Sequence, residues 1–227
     1  MKVIEINGIE KTYDEKTVPV HAVNGIDLSF EQGEFVAIVG PSGSGKTTLL
    51  NIIGGLDKPN SGEIIISGTN IGALSSSKMI DFRLNNIGFV FQAYNLIPVL
   101  TAKENIEFIM DLQGRSKVEK DSRSLELLKS VGLNDRANSR PNKLSGGQQQ
   151  RVAVARALAS KPKFILADEP TANLDSKSTE TLLEIMEKLN KEENITFIFS
   201  THDARVVKKA RRVITVEDGK VVSDEKC

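Results

Sequence analysis

Cysteine is nearly absent from this chain, tryptophan is absent, and no apolar run approaches the length of a membrane span. The single cysteine, Cys227, has no partner for an internal disulfide, so we expect the protein in a reducing compartment such as the cytosol. The first residues alternate apolar and polar side chains and lack the apolar core of a signal peptide. Any membrane-spanning part of the function is therefore expected on another chain.

An excess of charge of one sign is also missing. The 227 residues carry 30 basic and 30 acidic side chains, which gives a formal net charge of zero. This balance argues against nucleic-acid binding through a basic surface, so no nucleic-acid partner is expected.

The pattern of short apolar runs predicts an α/β fold in a single domain that spans residues 1–227. Four runs that end in polar residues are typical of parallel core strands, with functional groups just past their carboxyl ends. They lie at residues 36–40, 87–92, 164–169 and 196–202. The remaining patterns predict an antiparallel sheet (2–34 and 63–71), a helical insertion (about 93–160), an amphipathic helix (178–190) and a closing hairpin (213–222).

The segment 40–48 reads GPSGSGKTT and matches the phosphate-loop pattern G-x-x-x-x-G-K-[ST] at every fixed position. An apolar run precedes it and a helical pattern follows, as a nucleoside triphosphate site requires. Its backbone N–H groups favour phosphate oxygens, Lys46 adds a positive charge, and Thr47 offers a hydroxyl to Mg²⁺. The alternative, a glycine-rich turn without a ligand, is disfavoured by the Lys-Thr pair. The predicted nucleotide-binding residues are Gly40, Ser42, Gly43, Ser44, Gly45, Lys46, Thr47 and Thr48.

A second motif, FILADE at residues 164–169, is an apolar strand that ends in two acids, the Walker B form. Adjacent strand residues point to opposite faces, so we expect Asp168 to hold Mg²⁺ while Glu169 projects toward the γ-phosphate and polarises a water. An ordinary strand end with solvated acids is the alternative, and a phosphate loop upstream makes it the weaker one.

The third motif, LSGGQ at residues 144–148, opens a strongly helical run. Ser145 is a good N-cap residue and the paired glycines expose backbone N–H groups, so we expect a second anion site. One chain with two half-sites predicts that two copies pair head to tail; a plain capped helix is the alternative. LSGGQ just ahead of a Walker B strand resembles the signature of the ATP-binding-cassette (ABC) ATPases. The resemblance adds Ser145, Gly147 and Gln148 to the expected ATP-binding set.

That resemblance extends over nearly the whole chain and implies a P-loop NTPase core with a parallel sheet, an N-terminal antiparallel β-subdomain and an inserted helical subdomain. It implies that Tyr13 stacks on adenine, and that Gln92 reaches Mg²⁺ and the attacking water. It further implies that Asp175 lines a dimer seam and that His202 contacts the γ-phosphate. A surface tyrosine and a structural histidine are the alternatives for Tyr13 and His202. Glu169, His202 and Gln92 are thus the expected catalytic residues, with ATP and Mg²⁺ as cofactors.

A narrower resemblance rests on residues 49–62, residues 87–105 and the three glutamines after the signature glycines. They are similar to the branch that powers macrolide export, lipoprotein release and antimicrobial-peptide efflux. This implies an ATPase subunit in the cytoplasm, peripheral on the inner face of the membrane through an integral-membrane permease. A regulatory ATP-gated module without transport is one alternative, and a soluble ABC ATPase acting on nucleic acid or ribosomes is another. Tyr94, Leu96, Ile97 and Pro98 are candidates either for a permease-binding groove or for internal packing.

Overall fold

Ten strands form two sheets in the computed structural model, which describes residues 1–14 and 18–227. The strands are β1 (Lys2–Tyr13), β2 (Val20–Glu31), β3 (Phe35–Val39), β4 (Ser61–Ile66), β5 (Thr69–Asn70), β6 (Ile87–Phe91), β7 (Phe164–Asp168), β8 (Thr196–Ser200), β9 (Arg212–Glu217) and β10 (Lys220–Lys226). The antiparallel sheet has the order β2-β1-β4-β5 and buries alternate side chains such as Ile4 and Ile6. It matches the antiparallel sheet that the sequence predicts.

The helices cover both faces of the second sheet. They are α1 (Lys46–Ile53), α2 (Ser76–Asn86), α3 (Ala102–Leu112), α4 (Lys117–Ser130), α5 (Gly146–Ala159), α6 (Ser176–Glu193) and α7 (Ala204–Lys209), with short 3-10 turns at Ile71–Ala73, Asn134–Arg136 and Pro141–Lys143. Capping boxes start α3, α4 and α5. The sequence analysis did not predict α2, none of whose residues is fully buried, although Met79 and Phe82 pack partly against the core.

The core sheet has the order β10-β9-β3-β8-β7-β6, with β3, β6, β7, β8 and β9 parallel. Every residue of β8 is buried, as expected for a strand covered on both faces. The predicted closing hairpin is part of this sheet, because β9 pairs with β3 in parallel and β10 pairs with β9 antiparallel. The ends of β3, β6, β7 and β8 therefore meet at one edge. Within the described ranges, no helix is long and apolar enough to cross a membrane.

Arg212, at the start of β9, joins this hairpin to the antiparallel sheet. Its guanidinium donates to both carboxylate oxygens of Asp224 at 2.7 Å, to the Ser29 carbonyl at 2.7 Å and to Glu34 at 3.0 Å. The residue is 8% exposed and lies over the ring of Phe30, with 5.4 Å between the guanidinium carbon and the ring centroid. The Arg212 cation therefore forms hydrogen bonds with three segments of the chain. Its removal would deprive the carboxylates of Asp224 and Glu34 of this charged partner.

We expect Arg212→Met to lower the free energy of unfolding by roughly 2–4 kcal/mol, because it removes the cation and keeps much of the apolar stem. Hydrogen bonds from Arg212 lower the pKa of Asp224. That contribution is therefore present above the ordinary carboxyl pKa of about 4 and is lost as pH falls through the lowered folded-state value. Denaturant unfolding at pH 7 and at low pH measures both effects. Lys188→Met, which removes an exposed lysine, is the control; equal losses in both variants would contradict this role for Arg212.

Candidate functional site

A cleft of about 770 Å³ lies at the carboxyl edge of the core sheet. It brings together predicted residues that are far apart in sequence: Tyr13, the loop 40–48, Gln92, Glu169 and His202. Each of the last three follows the end of a parallel strand, β6, β7 or β8. The edge of the core sheet thus contributes four separate segments to the site, and Tyr13 of the antiparallel sheet contributes a fifth.

Backbone contacts hold the phosphate loop in place from two sides. A Cβ atom on Gly45 would lie 1.9 Å from the carbonyl oxygen of Ala22 in β2, and one on Gly40 would lie 2.0 Å from that of Val216 in β9. The Gly219 N–H of the β9–β10 turn also donates to the Ser44 carbonyl at 3.1 Å. The loop is therefore pressed between β2 and the hairpin, and only glycine fits at both contacts.

Lys46 begins α1 and is 8% exposed. Its ammonium donates to the carbonyl oxygens of Gly40 at 2.8 Å and Pro41 at 2.7 Å. The charge is thus held against its own loop by neutral acceptors. An anion in the cleft would offer charged oxygens instead, which bind an ammonium about twice as strongly as carbonyls do.

Thr47 and Asp168 suit a hard divalent cation. The Thr47 hydroxyl donates to an Asp168 carboxylate oxygen at 3.0 Å, and neighbouring ligands of an octahedral Mg²⁺ lie at roughly this separation. Among residues 1–14 and 18–227, no group of three or more His, Cys, Asp or Glu side chains could hold a metal by itself. A cation here would need further oxygens, as phosphates supply.

Glu169 and His202 form the polar centre of the cleft. A Glu169 carboxylate oxygen and His202 Nδ1 are 2.7 Å apart, and the Thr201 hydroxyl donates to the other oxygen at 3.3 Å. Strand alternation, which the sequence argument used for Glu169, does not describe it: β7 ends at Asp168, and Glu169 has a left-handed φ of +45°. This strained turn, rather than the pleat, aims the carboxylate. In this arrangement His202 can orient the Glu169 carboxylate as a general base.

A second contact fixes the turns that carry Glu169 and His202. The Thr171 hydroxyl, just after Glu169, donates to Asp203 at 2.8 Å. Hydrogen bonds from Arg205 lower the pKa of Asp203 to about 2, so its carboxylate stays charged near neutral pH. Sequence reasoning missed this contact, because Thr171 and Asp203 carry no motif.

Sequence reasoning also missed four residues that line the cleft, and they are Val20, His21, Ala22 and Ser200. The β1–β2 register places Val20 opposite Tyr13 and His21 opposite Thr12, which strand alternation alone could not fix. Ser200 is 1% exposed, and its hydroxyl has no hydrogen-bond partner among the described residues. A buried hydroxyl in a cleft is available to a bound ligand or water.

The signature residues do not line the cleft. Ser145 caps α5: its hydroxyl accepts from the Gln148 N–H at 3.3 Å, and the Gln148 side chain accepts from the Ser145 N–H at 2.8 Å. Gly147 packs against Ser178, whose hydroxyl donates to Asp175 at 2.7 Å. Ser145, Gly147, Gln148 and Asp175 thus form a separate group around the starts of α5 and α6.

Gln92 connects the cleft to this group. Its backbone carbonyl accepts from the Asn173 side chain at 3.1 Å, two residues before Asp175. The following segment is held down by Arg156, which donates to the Tyr94 carbonyl at 2.9 Å. Of the four candidates for a permease-binding groove or for internal packing, Tyr94, Leu96 and Ile97 are half-buried and Pro98 is exposed. Leu96 packs against the core, which favours internal packing for that residue.

Known proteins resemble this chain in sequence. The model of the ABC transporter family matches residues 23–172. The lipoprotein-releasing system ATP-binding protein LolD 1 of Rhodopseudomonas palustris is 46% identical over 221 residues, which are 96% of this chain and 98% of that protein. The macrolide export ATP-binding/permease protein MacB of Mannheimia succiniciproducens is 45% identical over 224 residues, which are 99% of this chain and 35% of that protein.

A solved structure gives the same result for the fold. The dimeric, post-hydrolysis structure of the ATP-binding cassette MJ0796 of Methanocaldococcus jannaschii, bound to ADP and Pi, has a TM-score of 0.89 at 45% identity and covers 98% of each chain. These similarities confirm the predicted α/β fold class and the resemblance to ABC ATPases of the export and lipoprotein-release branch.

We expect Gly45→Ala to lower the free energy of unfolding by about 3 kcal/mol or more, because its Cβ meets the Ala22 carbonyl at a φ of +98°. Gly43→Ala is the matched control in the same loop. Its φ of +80° is also left-handed, but nothing lies within 4 Å of the added Cβ. We expect it to cost roughly 1–2 kcal/mol. Denaturant unfolding checks both, and equal costs would contradict the clamped loop.

Proposed function

Since this chain belongs to the ABC transporter family and is one of its ATP-hydrolysing ATP-binding subunits, we propose that it is the motor subunit of a membrane transport complex. The observation that carries the proposal is the separation of two anion-binding elements: the phosphate loop lines the cleft and the signature helix does not. Such a chain needs a second copy to complete its site. The closing movement is then available to act on a membrane partner.

In this proposal the cleft binds ATP along its length. The N–H groups of Gly40, Ser42, Gly43, Ser44 and Gly45 and the side chains of Lys46, Thr47 and Thr48 surround the phosphates. The partly exposed ring of Tyr13, which also lines the cleft, stacks on the adenine. Thr47, Asp168 and Gln92 would hold Mg²⁺, which when bound neutralises charge on the phosphate oxygens.

Glu169 is the proposed general base. Its carboxylate takes a proton from a water while the water oxygen attacks the γ-phosphorus, and the bond to the β-phosphate oxygen breaks. His202, which lies 2.7 Å from Glu169, orients that carboxylate and contacts the γ-phosphate. Gln92, at the end of β6, positions the same water.

In the proposed dimer, the second copy supplies the residues that complete the site. Ser145, Gly147 and Gln148 start α5, where exposed N–H groups and the helix dipole favour an anion. In a head-to-tail dimer they would cover the γ-phosphate held by the other copy, with Asp175 at the seam. In support, the similar cassette MJ0796 is dimeric in solved structures, one of which holds ADP and Pi. Loss of the γ-phosphate would remove the shared ligand and open the seam.

An apolar groove beside α2 is the proposed contact with the permease. It has a volume of about 380 Å³, lies between α2, β6 and α5, and is largely apolar. Its rim includes Leu56 and Ile80, which are 46% and 56% exposed. Arg156 lines it and also holds the segment after Gln92, so the groove can respond to the nucleotide. Docking there would place the chain in the cytoplasm, on the inner face of the membrane.

We expect Glu169→Gln with ATP and Mg²⁺ to run as a dimer in size-exclusion chromatography, because hydrolysis no longer opens the seam. Adding Ser145→Arg to that variant should restore the monomer while ATP still binds. Adding Lys46→Ala should instead abolish most ATP binding, since it removes the charge in the loop.

Light scattering for mass and calorimetry for binding separate these cases. A Glu169→Gln protein that binds ATP and stays monomeric would overturn the dimer. Equal loss of ATP binding in both double variants would overturn the division of the site between two copies.

For the permease, we expect tagged Glu169→Gln with ATP to co-purify from detergent-solubilised host membranes with an integral-membrane protein that has few membrane helices. Ile80→Asp should lose that partner, because a buried charge at the groove is costly. Leu125→Asp, at an apolar residue of α4 that is 50% exposed, is the matched control and should retain it. Recovery of ribosomal or DNA-repair proteins with no membrane partner would overturn the proposal.

A further inference from the structure

Tyr13 is anchored by its hydroxyl group. It is the last residue of β1, is 38% exposed and lines the cleft. The hydroxyl donates to an Asp57 carboxylate oxygen at 2.5 Å. Asp57 lies in the segment 49–62, which carries no assigned site residue, and it follows the end of α1 by four residues.

Asp57 is in turn fixed by Lys11. The Lys11 ammonium donates to the other Asp57 carboxylate oxygen and to the Lys58 carbonyl, both at 2.7 Å, and the Lys58 N–H donates to Asp57 at 2.7 Å. The Lys11 side chain is only 13% exposed. Burial alone would raise the pKa of Asp57, but hydrogen bonds from Lys11, Tyr13 and Lys58 lower it, so the carboxylate is charged at neutral pH.

Lys11 also contacts the ring that Asp57 anchors. Its ammonium nitrogen lies 4.8 Å from the centroid of the Tyr13 ring, within cation–π distance. The tyrosine is therefore held at two points, by a carboxylate at its hydroxyl and by a cation over its ring. Burial, followed by the hydrogen bond to Asp57, raises the pKa of Tyr13 and keeps its hydroxyl proton in place for that bond.

The anchor belongs to the same helix as the phosphate loop. The Asp57 N–H donates to the Asn51 carbonyl in α1 at 3.2 Å, and the Leu56 N–H donates to the same oxygen at 2.8 Å. Lys46 and Thr47 stand at the other end of α1. Thr48, in the first turn of α1, also has a hydrogen bond with Tyr13, so one helix ties the aromatic ring to the phosphate-binding groups.

We propose that Asp57 and Lys11 are positioning residues for the nucleotide base, which hold the Tyr13 ring at a fixed distance from the phosphate loop. The proposal rests on the function proposed above, in which that ring stacks on adenine. A ring ordered before the ligand arrives loses less side-chain freedom on binding, so the base binds more tightly. Asp57 and Lys11 need not touch the nucleotide.

Asp57→Asn and Lys11→Met test the proposal with two ligands, Mg-ATP and Mg-tripolyphosphate, the second of which has no base. We expect each variant to weaken ATP binding about three- to tenfold, as loosening one side chain implies, and to leave tripolyphosphate binding unchanged. Tyr13→Phe should weaken ATP binding similarly, and adding Asp57→Asn to it should cost little more, because the shared hydrogen bond is already gone. Isothermal titration calorimetry gives all of these dissociation constants.

Asp81→Asn, which neutralises an exposed carboxylate on α2, is the control and should bind both ligands like the parent. Equal weakening for ATP and tripolyphosphate would show that Asp57 supports the loop rather than the base, and would overturn the proposal. Unchanged ATP binding in Asp57→Asn, while Tyr13→Ala binds ATP poorly, would overturn it as well and leave the function proposed for Tyr13 intact. If Tyr13→Ala binds ATP normally, the stacking role itself fails, and this inference fails with it.

Discussion

The phosphate loop depends on contacts between backbones, and the rest of the cleft is arranged around it. At Gly45 and Gly40 the carbonyls of β2 and β9 come so close that no side chain fits. Because β2 belongs to the antiparallel sheet and β9 to the core sheet, the loop sits where the two sheets meet. Its amides are held in place before any anion arrives, so a ligand need not order them. For this reason the β9–β10 hairpin, which begins at Arg212 and is remote from the loop in sequence, affects the geometry of the site.

In the proposed function, the loop and the nearby strand ends make half of a catalytic site. Lys46, Thr47, Glu169 and His202 line the cleft, and Asp168 lies next to it through its hydrogen bond with Thr47, so these groups would approach a ligand from the core sheet. Water in an open cleft weakens electrostatic interactions and competes for the reacting groups. A partner surface that brings helix N–H groups to the γ-phosphate would exclude this water and add positive potential together. Hydrolysis and association are therefore expected to depend on each other, since one ligand fills both surfaces.

How much the sequence could predict follows from the range of the interactions. The loop 40–48 and the capping box at Ser145 were predictable, because both follow from residues adjacent in sequence. The backbone turn at Glu169 was not, because its left-handed φ depends on contacts with β8 and with Thr201. Helix α2 escaped prediction because its apolar residues are only partly buried, Met79 and Phe82 among them. The sequence left the packing of the segment after Gln92 open, because the hydrogen bond that holds this segment comes from Arg156, far along the chain.

Helix α1 links the phosphate loop to the Tyr13 ring. Its first turn carries Lys46 and Thr47, and the residues just beyond its last turn carry Asp57, to which Tyr13 is bonded. Thr48, also in the first turn, has a hydrogen bond with Tyr13, so the ring and the phosphate-binding groups are tied to one short helix. A ligand with phosphates and an aromatic base would meet both, whereas an anion without a base would meet only the phosphate loop. The same loop after α1 reaches the apolar groove through Leu56, so a shift of the helix on nucleotide binding would be felt at the surface proposed for the permease.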